Sequence, residues 1–202
     1  MVLPNQLTIL RVILTPVFLY LFLSGDALLM RISFVVFIIA AITDWYDGWL
    51  ARKFNYITNW GKFMDPLADK ILTSAAFFGF VVLDVLPLWM VIVIVVRDFA
   101  ITLLRVYADY KKIKFTTSRL AKVKTFTQMF FLYYLLFVYA LLTFENLSQN
   151  YSFVFDILLE PQLIYWSMFI VTAFTAYTGI NYFINNRKLI KKLFTSETAK
   201  SN

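Results

Sequence analysis

Six apolar runs, each long enough for a membrane-spanning helix, follow one another from end to end of the chain. A helix needs about 20 apolar residues to cross the hydrocarbon core of a bilayer. The runs cover residues 7–23, 32–50, 66–86, 88–108, 120–144 and 163–184. Soluble domains are about half apolar, whereas 61% of these 202 residues are hydrophobic and only 15% are charged. The sequence therefore predicts an all-α, polytopic membrane protein with six transmembrane helices, in which residues 1–202 form a single domain.

The basic residues predict the orientation of these helices. Segment 105–124 holds seven Lys and Arg residues, and the loop after the second run and the C-terminal tail are also basic, whereas segment 145–160 has none. Because Lys and Arg concentrate in cytoplasmic loops, both termini are predicted to be cytoplasmic, as an even number of spans requires. We expect a multi-pass protein of the cytoplasmic membrane. The net charge of +7 then reports this bias and contact with lipid headgroups, and we expect no nucleic-acid partner.

The chain contains neither Cys nor His. Disulfides, thiolate nucleophiles, imidazole acid–base catalysis and Cys- or His-ligated zinc are therefore excluded. Any catalysis has to use carboxylates, Lys, Arg, Tyr, hydroxyl groups or bound cations.

Four of the twelve acidic residues lie at the predicted cytoplasmic ends of the second and third spans: Asp44, Asp47, Asp65 and Asp69. Helical neighbours at i,i+3 and i,i+4 share a face, and the short loop predicts antiparallel spans, so both pairs should face one cavity. Four clustered carboxylates repel one another unless a cation is bound, and all-oxygen ligands suit Mg²⁺ or Mn²⁺. Two such ions can hold a pyrophosphate and orient an attacking hydroxyl. The simpler alternative is that the acids pair with nearby Lys and Arg at the headgroups.

The pattern D-x2-D-G-x2-A-R-x8-G-x3-D-x3-D is filled at every position from Asp44 to Asp69. It resembles the signature of the CDP-alcohol phosphatidyltransferases, membrane enzymes with six helices that displace CMP from a CDP-linked lipid or alcohol. The resemblance implies two divalent cations, Mg²⁺ or Mn²⁺, bridged by Asp44 and Asp65. It further implies that Asp47 completes the shell of one ion, and that Asp69 contacts the other and removes the proton from the acceptor hydroxyl.

The resemblance also implies a CDP-lipid site. Its residues would be Pro4, Asn5, Thr8, Gly48, Ala51, Arg52, Thr58 and Gly61. For the N-terminal residues an alternative stays open, because Asn5 or Thr8 could simply cap the first helix.

Segments 4–11, 61–70, 97–105 and 121–125 resemble the branch of the family whose acceptor is glycerol 3-phosphate. Arg97 and Arg105 are two turns apart, and an unpaired Arg97 inside an apolar run would be expensive, so a phosphate-bearing acceptor is a fitting partner. The alternative is that Arg97 pairs with Asp98 or a signature carboxylate. Two departures, Asp98 for the usual Glu and Ala121 for the usual Gly, bear on acceptor specificity. The predicted acceptor-binding residues are Arg97, Arg105, Arg119, Lys122 and Lys124.

The predicted function is transfer of a phosphatidyl group from CDP-diacylglycerol to sn-glycerol 3-phosphate, giving phosphatidylglycerophosphate and CMP. The expected partners are these two substrates and the lipid bilayer, and the resemblance implies a homodimer. A near alternative is the same chemistry with phosphatidylglycerol, serine or an inositol phosphate as acceptor. A distant alternative is a metal-ion transporter lined by the aspartates, although their clustering at one inter-helix edge beside Gly and Arg argues against permeation.

Overall fold

A computed structural model describes residues 3–54, 59–111, 113, 115 and 119–198 of the chain. Within these ranges the side chains of residues 3–4, 45, 47–48, 51–52, 59–60, 62, 192 and 194–198 are not described. The described part is built from helices alone, and the prediction of an all-α protein is confirmed for it. The helices are α1 (Leu3–Phe22), α2 (Ala27–Phe54), α3 (Asn59–Val82), α4 (Leu88–Tyr110), α5 (Arg119–Leu142), α6 (Glu145–Asn150), α7 (Ser152–Leu158) and α8 (Pro161–Thr198).

Each of the six long helices, α1 to α5 and α8, overlaps one of the six predicted spans. By length and composition, four segments of the described chain qualify as membrane spans: Asn5–Phe22, Ala27–Asp44, Arg119–Leu142 and Ser152–Lys191. Helices α3 and α4 have 24 and 23 residues, which is long enough, but charged side chains interrupt both. The apolar helices are those of a multi-pass membrane protein, and the count of six spans stays a prediction.

The sequence prediction misses the start of α3, the end of α8 at Thr198 and the structure of segment 145–160. Helix α3 begins at Asn59, before the predicted start at residue 66, and continues through Pro66 to Val82. The hydropathy pattern misses its first turns because Asn59, Lys62 and Asp65 interrupt the apolar residues there. The chain then reverses through a turn in which Asp84 has a φ of 59°. Segment 145–160, which looks like a plain linker in the sequence, contains α6 and α7.

Aromatic rings form the centre of the hydrophobic core. Phe18 of α1 lies 5.1 Å from Phe37 of α2 and 5.4 Å from Phe22, measured between ring centroids. Phe22 in turn lies 5.2 Å from Phe80 of α3. A Cβ atom at Gly79 would stand 2.9 Å from the Phe22 ring, so glycine permits this close approach of α1 and α3. The rings therefore lock the first three helices together.

Helix α1 packs along both α2 and α3, which touch each other only briefly. Helix α4 packs against α3 and α8, and α5 packs against α8 and α2. On their outer faces the long helices expose large apolar side chains such as Ile38, Val96 and Ile170, as expected for contact with lipid tails. The central position of α1 also brings its first turns to the ends of α2 and α3 that carry the aspartates.

Candidate active site

A small cavity of about 90 Å³ lies between α1, α2, α3 and α5. Asp44 of α2 and Asp69 of α3 both line it, with 45% and 36% of their side-chain surface exposed. The carboxylates of Asp44, Asp65 and Asp69 are close enough for Asp44 to experience the charge of the other two. The structure therefore brings predicted ligands from two different helices to one place.

Two side chains of α1 hold these carboxylates. The fully buried Arg11 places its Nη1 atom 2.7 Å from Asp44 Oδ1. The buried Thr8 hydroxyl donates a hydrogen bond to Asp65 Oδ1. Asp65 precedes the predicted third span, and burial raises the pKa of its carboxyl above the ordinary value, although Thr8 and Arg11 act in the opposite direction. Arg11 and Thr8 thus orient the two aspartates that the resemblance makes bridging ligands.

The donor chemistry fits a hard divalent cation. The acidic side chains at the cavity offer only oxygen atoms, and those of Asp44 and Asp69 remain partly open. No three of the acidic side chains that the structure describes are close enough to form a complete metal site. The fourth predicted ligand, Asp47, lies on α2, but its side chain is outside the described ones.

Several predicted CDP-lipid residues also lie beyond what the structure describes. Thr58 is outside the described residues altogether, and the side chains of Pro4, Gly48, Ala51 and Arg52 are not described although their helices are. Of the remaining residues of this set, Gly61 is buried at the start of α3, Asn5 is half-buried and Thr8 is buried on α1. Thr8 is therefore placed among the aspartates, and its hydroxyl bonds a signature carboxylate.

A larger cavity of about 710 Å³ lies beside the aspartates, between α3, α4, α5 and α8. Four cationic side chains line it, Lys70, Arg97, Arg105 and Lys122. The Lys70 ammonium is also 3.3 Å from Asp69 Oδ2, so one ion pair connects this cavity with the aspartate cavity. An anionic group of the size of a small phosphorylated alcohol would find donors on three helices here.

Arg97 is held from two sides. Its Nη1 donates to Asp98 Oδ1 at 3.0 Å, and its Nη2 donates to Thr178 Oγ1 of α8 at 3.1 Å. A Cβ atom at Gly179 would stand 3.0 Å from Arg97 Cγ, so glycine leaves room for the arginine stem against α8. The pairing of Arg97 with Asp98, one of the alternatives considered for the sequence, is thus present, and Arg97 lines the cavity nonetheless.

The other two predicted acceptor residues lie elsewhere. Lys124 is 1% exposed and pairs with Asp98, which also accepts a hydrogen bond from Gln128 Nε2 at 3.2 Å. Arg119 is exposed. Neither Lys124 nor Arg119 is among the residues that line the cavity. Lys124 is therefore in a position to fix Asp98, and through it Arg97.

Four residues without a predicted role contribute to the two cavities: Arg11, Lys70 and Tyr182 line them, and Thr178 accepts a hydrogen bond from the cavity-lining Arg97. Arg11 was visible as a cation inside an apolar run, and Lys70 as the neighbour of Asp69 in the signature segment. Thr178 and Tyr182 of α8 gave no signal, because that helix reads as generic apolar sequence. Their places depend on how α8 packs against α4.

A model of the CDP-alcohol phosphatidyltransferase family matches residues 1–177. The chain belongs to this family of enzymes, as its signature predicts.

The relatives carry a more specific name. The chain is 37% identical, over 94% of its own length and 97% of the relative, to the CDP-diacylglycerol–glycerol-3-phosphate 3-phosphatidyltransferase of Bacillus subtilis (strain 168). Relatives of the same name in Rickettsia felis and Salmonella paratyphi A are 34% and 35% identical. The match to the Rickettsia felis protein covers 95% of this chain and 97% of the relative. The match to the Salmonella paratyphi A protein covers 82% of this chain and 90% of the relative.

Proposed function

We propose that this protein transfers the phosphatidyl group of CDP-diacylglycerol to sn-glycerol 3-phosphate and releases CMP. The observation that carries the proposal is the cationic cavity joined to the aspartate cavity through the Asp69–Lys70 pair. A phosphorylated acceptor needs both a cationic site for its phosphate and a base beside its hydroxyl, and an ion pair at the border of the two cavities supports this arrangement. The names of the relatives support the same reaction.

In the proposed mechanism, Arg97, Arg105 and Lys122 bind the acceptor phosphate. Lys70 adds a fourth positive charge to the cavity. Asp69 accepts the proton of the acceptor hydroxyl at the border of the two cavities. Asp44, Asp47, Asp65 and Asp69 would hold two divalent cations, Mg²⁺ or Mn²⁺. Such ions, when bound, neutralise charge on the pyrophosphate and on the leaving CMP.

The acceptor hydroxyl attacks the phosphorus atom that carries the diacylglycerol, and the bond from that phosphorus to the CMP oxygen breaks. The CDP-lipid would lie along the signature residues of α2 and the first turns of α1. Thr8 and Arg11 keep Asp65 and Asp44 oriented during the reaction. We propose that the same four aspartates act as ligands and, in the case of Asp69, as base.

The arrangement in the membrane is part of the proposal. Residues 1–202 form one domain with six spans and cytoplasmic termini, and the site opens to the cytoplasmic face of the cell membrane. The alternation of basic and non-basic loops supports this orientation. A homodimer, implied by the family resemblance, belongs to the same set of proposals.

The test is an acceptor panel. Purified protein is incubated with CDP-diacylglycerol, Mg²⁺ and one acceptor at a time, and each lipid product is identified by its mass. We expect phosphatidylglycerophosphate with glycerol 3-phosphate, and CMP in equal amount. If a lipid product forms only with serine, phosphatidylglycerol or an inositol phosphate, that compound is the acceptor, and the proposed transfer of a phosphatidyl group still holds. Ion flux in proteoliposomes without CMP release would favour the transporter alternative.

A further inference from the structure

One polar group at the cationic cavity lacks a function in the mechanism above. Tyr182 of α8 lines the cavity, and its side chain is 6% exposed. Its hydroxyl is buried and has no hydrogen-bond partner among the residues that the structure describes. The ring itself is held firmly, because it lies 6.0 Å from the Phe115 ring and the Arg105 guanidinium stands 5.9 Å from its centroid.

A buried hydroxyl without a partner is costly, because its hydrogen bonds to water are lost and not replaced. Phenylalanine at this position would keep the ring contacts and avoid that cost. A tyrosine here is therefore explained best by a ligand that completes its hydrogen bond. The neighbouring groups define the charge of this ligand, since Arg97, Arg105 and Lys122 line the same cavity. These cations call for an anion, and a phenol donates readily to an anionic oxygen.

We propose that the Tyr182 hydroxyl donates a hydrogen bond to a phosphate oxygen of the acceptor, which makes Tyr182 a specificity-determining residue on α8. The inference rests on the proposed function, because it takes the cationic cavity to be the acceptor site. It adds a neutral donor on α8 to the cations that α3, α4 and α5 contribute to the cavity. Cations attract any anion, whereas a donor at a defined position selects a phosphate that lies in one orientation.

The experiment compares the wild-type protein with Tyr182→Phe. Kinetic constants are measured by CMP release with glycerol 3-phosphate and CDP-diacylglycerol varied in turn. We expect KM for glycerol 3-phosphate to rise about tenfold or more, since tenfold is the lower end of the effect of losing a hydrogen bond to a charged group. KM for CDP-diacylglycerol should stay unchanged, and the thermal unfolding temperature of the free protein should stay the same or rise. The matched control is Tyr177→Phe on the same helix, whose exposed side chain lies outside the cavity lining.

Inorganic phosphate serves as a second probe. It should compete with glycerol 3-phosphate, and its inhibition constant should rise in Tyr182→Phe by a similar factor. An unchanged KM for glycerol 3-phosphate would overturn the inference and leave the proposed function intact. A raised KM with an unchanged inhibition constant would also overturn it, because the hydroxyl would then bind the glycerol part. If the wild type makes no product from glycerol 3-phosphate, the proposed function fails, and equilibrium binding of inorganic phosphate to both proteins still decides the role of Tyr182.

Discussion

Replacing Asp98 by Asn removes the negative charge from a buried cluster of three donors. Asp98 is 5% exposed and accepts hydrogen bonds from Arg97, Lys124 and Gln128. Lys124 is 1% exposed, so the substitution leaves an ammonium group buried without its counter-charge. Breaking one partner out of a buried ion pair costs about 3–5 kcal/mol. We expect the free energy of unfolding to fall by about 3 kcal/mol, the lower end of that range, because the Asn oxygen still accepts a hydrogen bond.

Unfolding in mixed micelles by titration with SDS, followed by tryptophan fluorescence, measures this loss. The double variant Asp98→Asn with Lys124→Met removes both charges, and it should be more stable than Asp98→Asn alone. Asp109→Asn, at an exposed position of the same helix, is the matched control and should change stability little. A stability loss below about 1 kcal/mol for Asp98→Asn would refute the reasoning that Asp98 neutralises a buried lysine. So would a double variant whose stability loss equals the sum of the losses in the two single variants.

Three further predictions concern the reaction. Asp69→Asn should keep expression and CDP-diacylglycerol binding but release no CMP, because the base is lost; substantial CMP release in that variant would contradict the assignment. Removal of divalent cations with EDTA should abolish CMP release without unfolding the protein, and added Mg²⁺ or Mn²⁺ should restore it; activity that survives EDTA would rule out the metal site. Gly179→Ala should raise KM for glycerol 3-phosphate several-fold by displacing Arg97, with KM for CDP-diacylglycerol as the internal reference. Its control, Gly25→Ala, places a side chain at a φ of 74° and should cost about 1 kcal/mol of stability with unchanged kinetic constants.

The positions of the helices are predictable because they follow from the order of apolar and charged residues along the chain. A long apolar run bounded by charge lies within or across each long helix, so six such runs predict α1 to α5 and α8, although not their exact ends. The order of packing was not predictable in this way. The short loop between α2 and α3 predicts direct neighbours, whereas α1 packs along both and separates most of their length. That arrangement depends on how Phe22 fits against Gly79, a contact between residues 57 positions apart in the chain.

The residues of the candidate site also fall into two groups, those that local spacing predicts and those whose contacts depend on helix packing. The four aspartates could be proposed as a site because their spacing is local, with each pair separated by a single helical turn, and their role as metal ligands stays a prediction. Lys124 shows the limit of that reasoning. A sequence of loop cations predicts phosphate ligands, but only the packing of α5 against its neighbours buries this lysine on Asp98. Tyr182 was missed for a related reason, because an aromatic residue in an apolar helix reads as core or lipid contact.

The Arg11–Asp44 pair has a consequence for how the protein is assembled. Chain synthesis delivers α1 to the bilayer before α2, and at that stage Arg11 has no carboxylate beside it. Arg11 lies about two turns from the start of α1, and an arginine without a counter-charge is unfavourable inside a spanning helix, although less so here than at the helix centre. The cost is relieved when α2 arrives and Asp44 comes within 2.7 Å. The Arg11–Asp44 ion pair therefore favours early association of α1 with α2 during membrane insertion. The same arginine that orients a predicted metal ligand in the folded protein thus also stabilises the first helical hairpin.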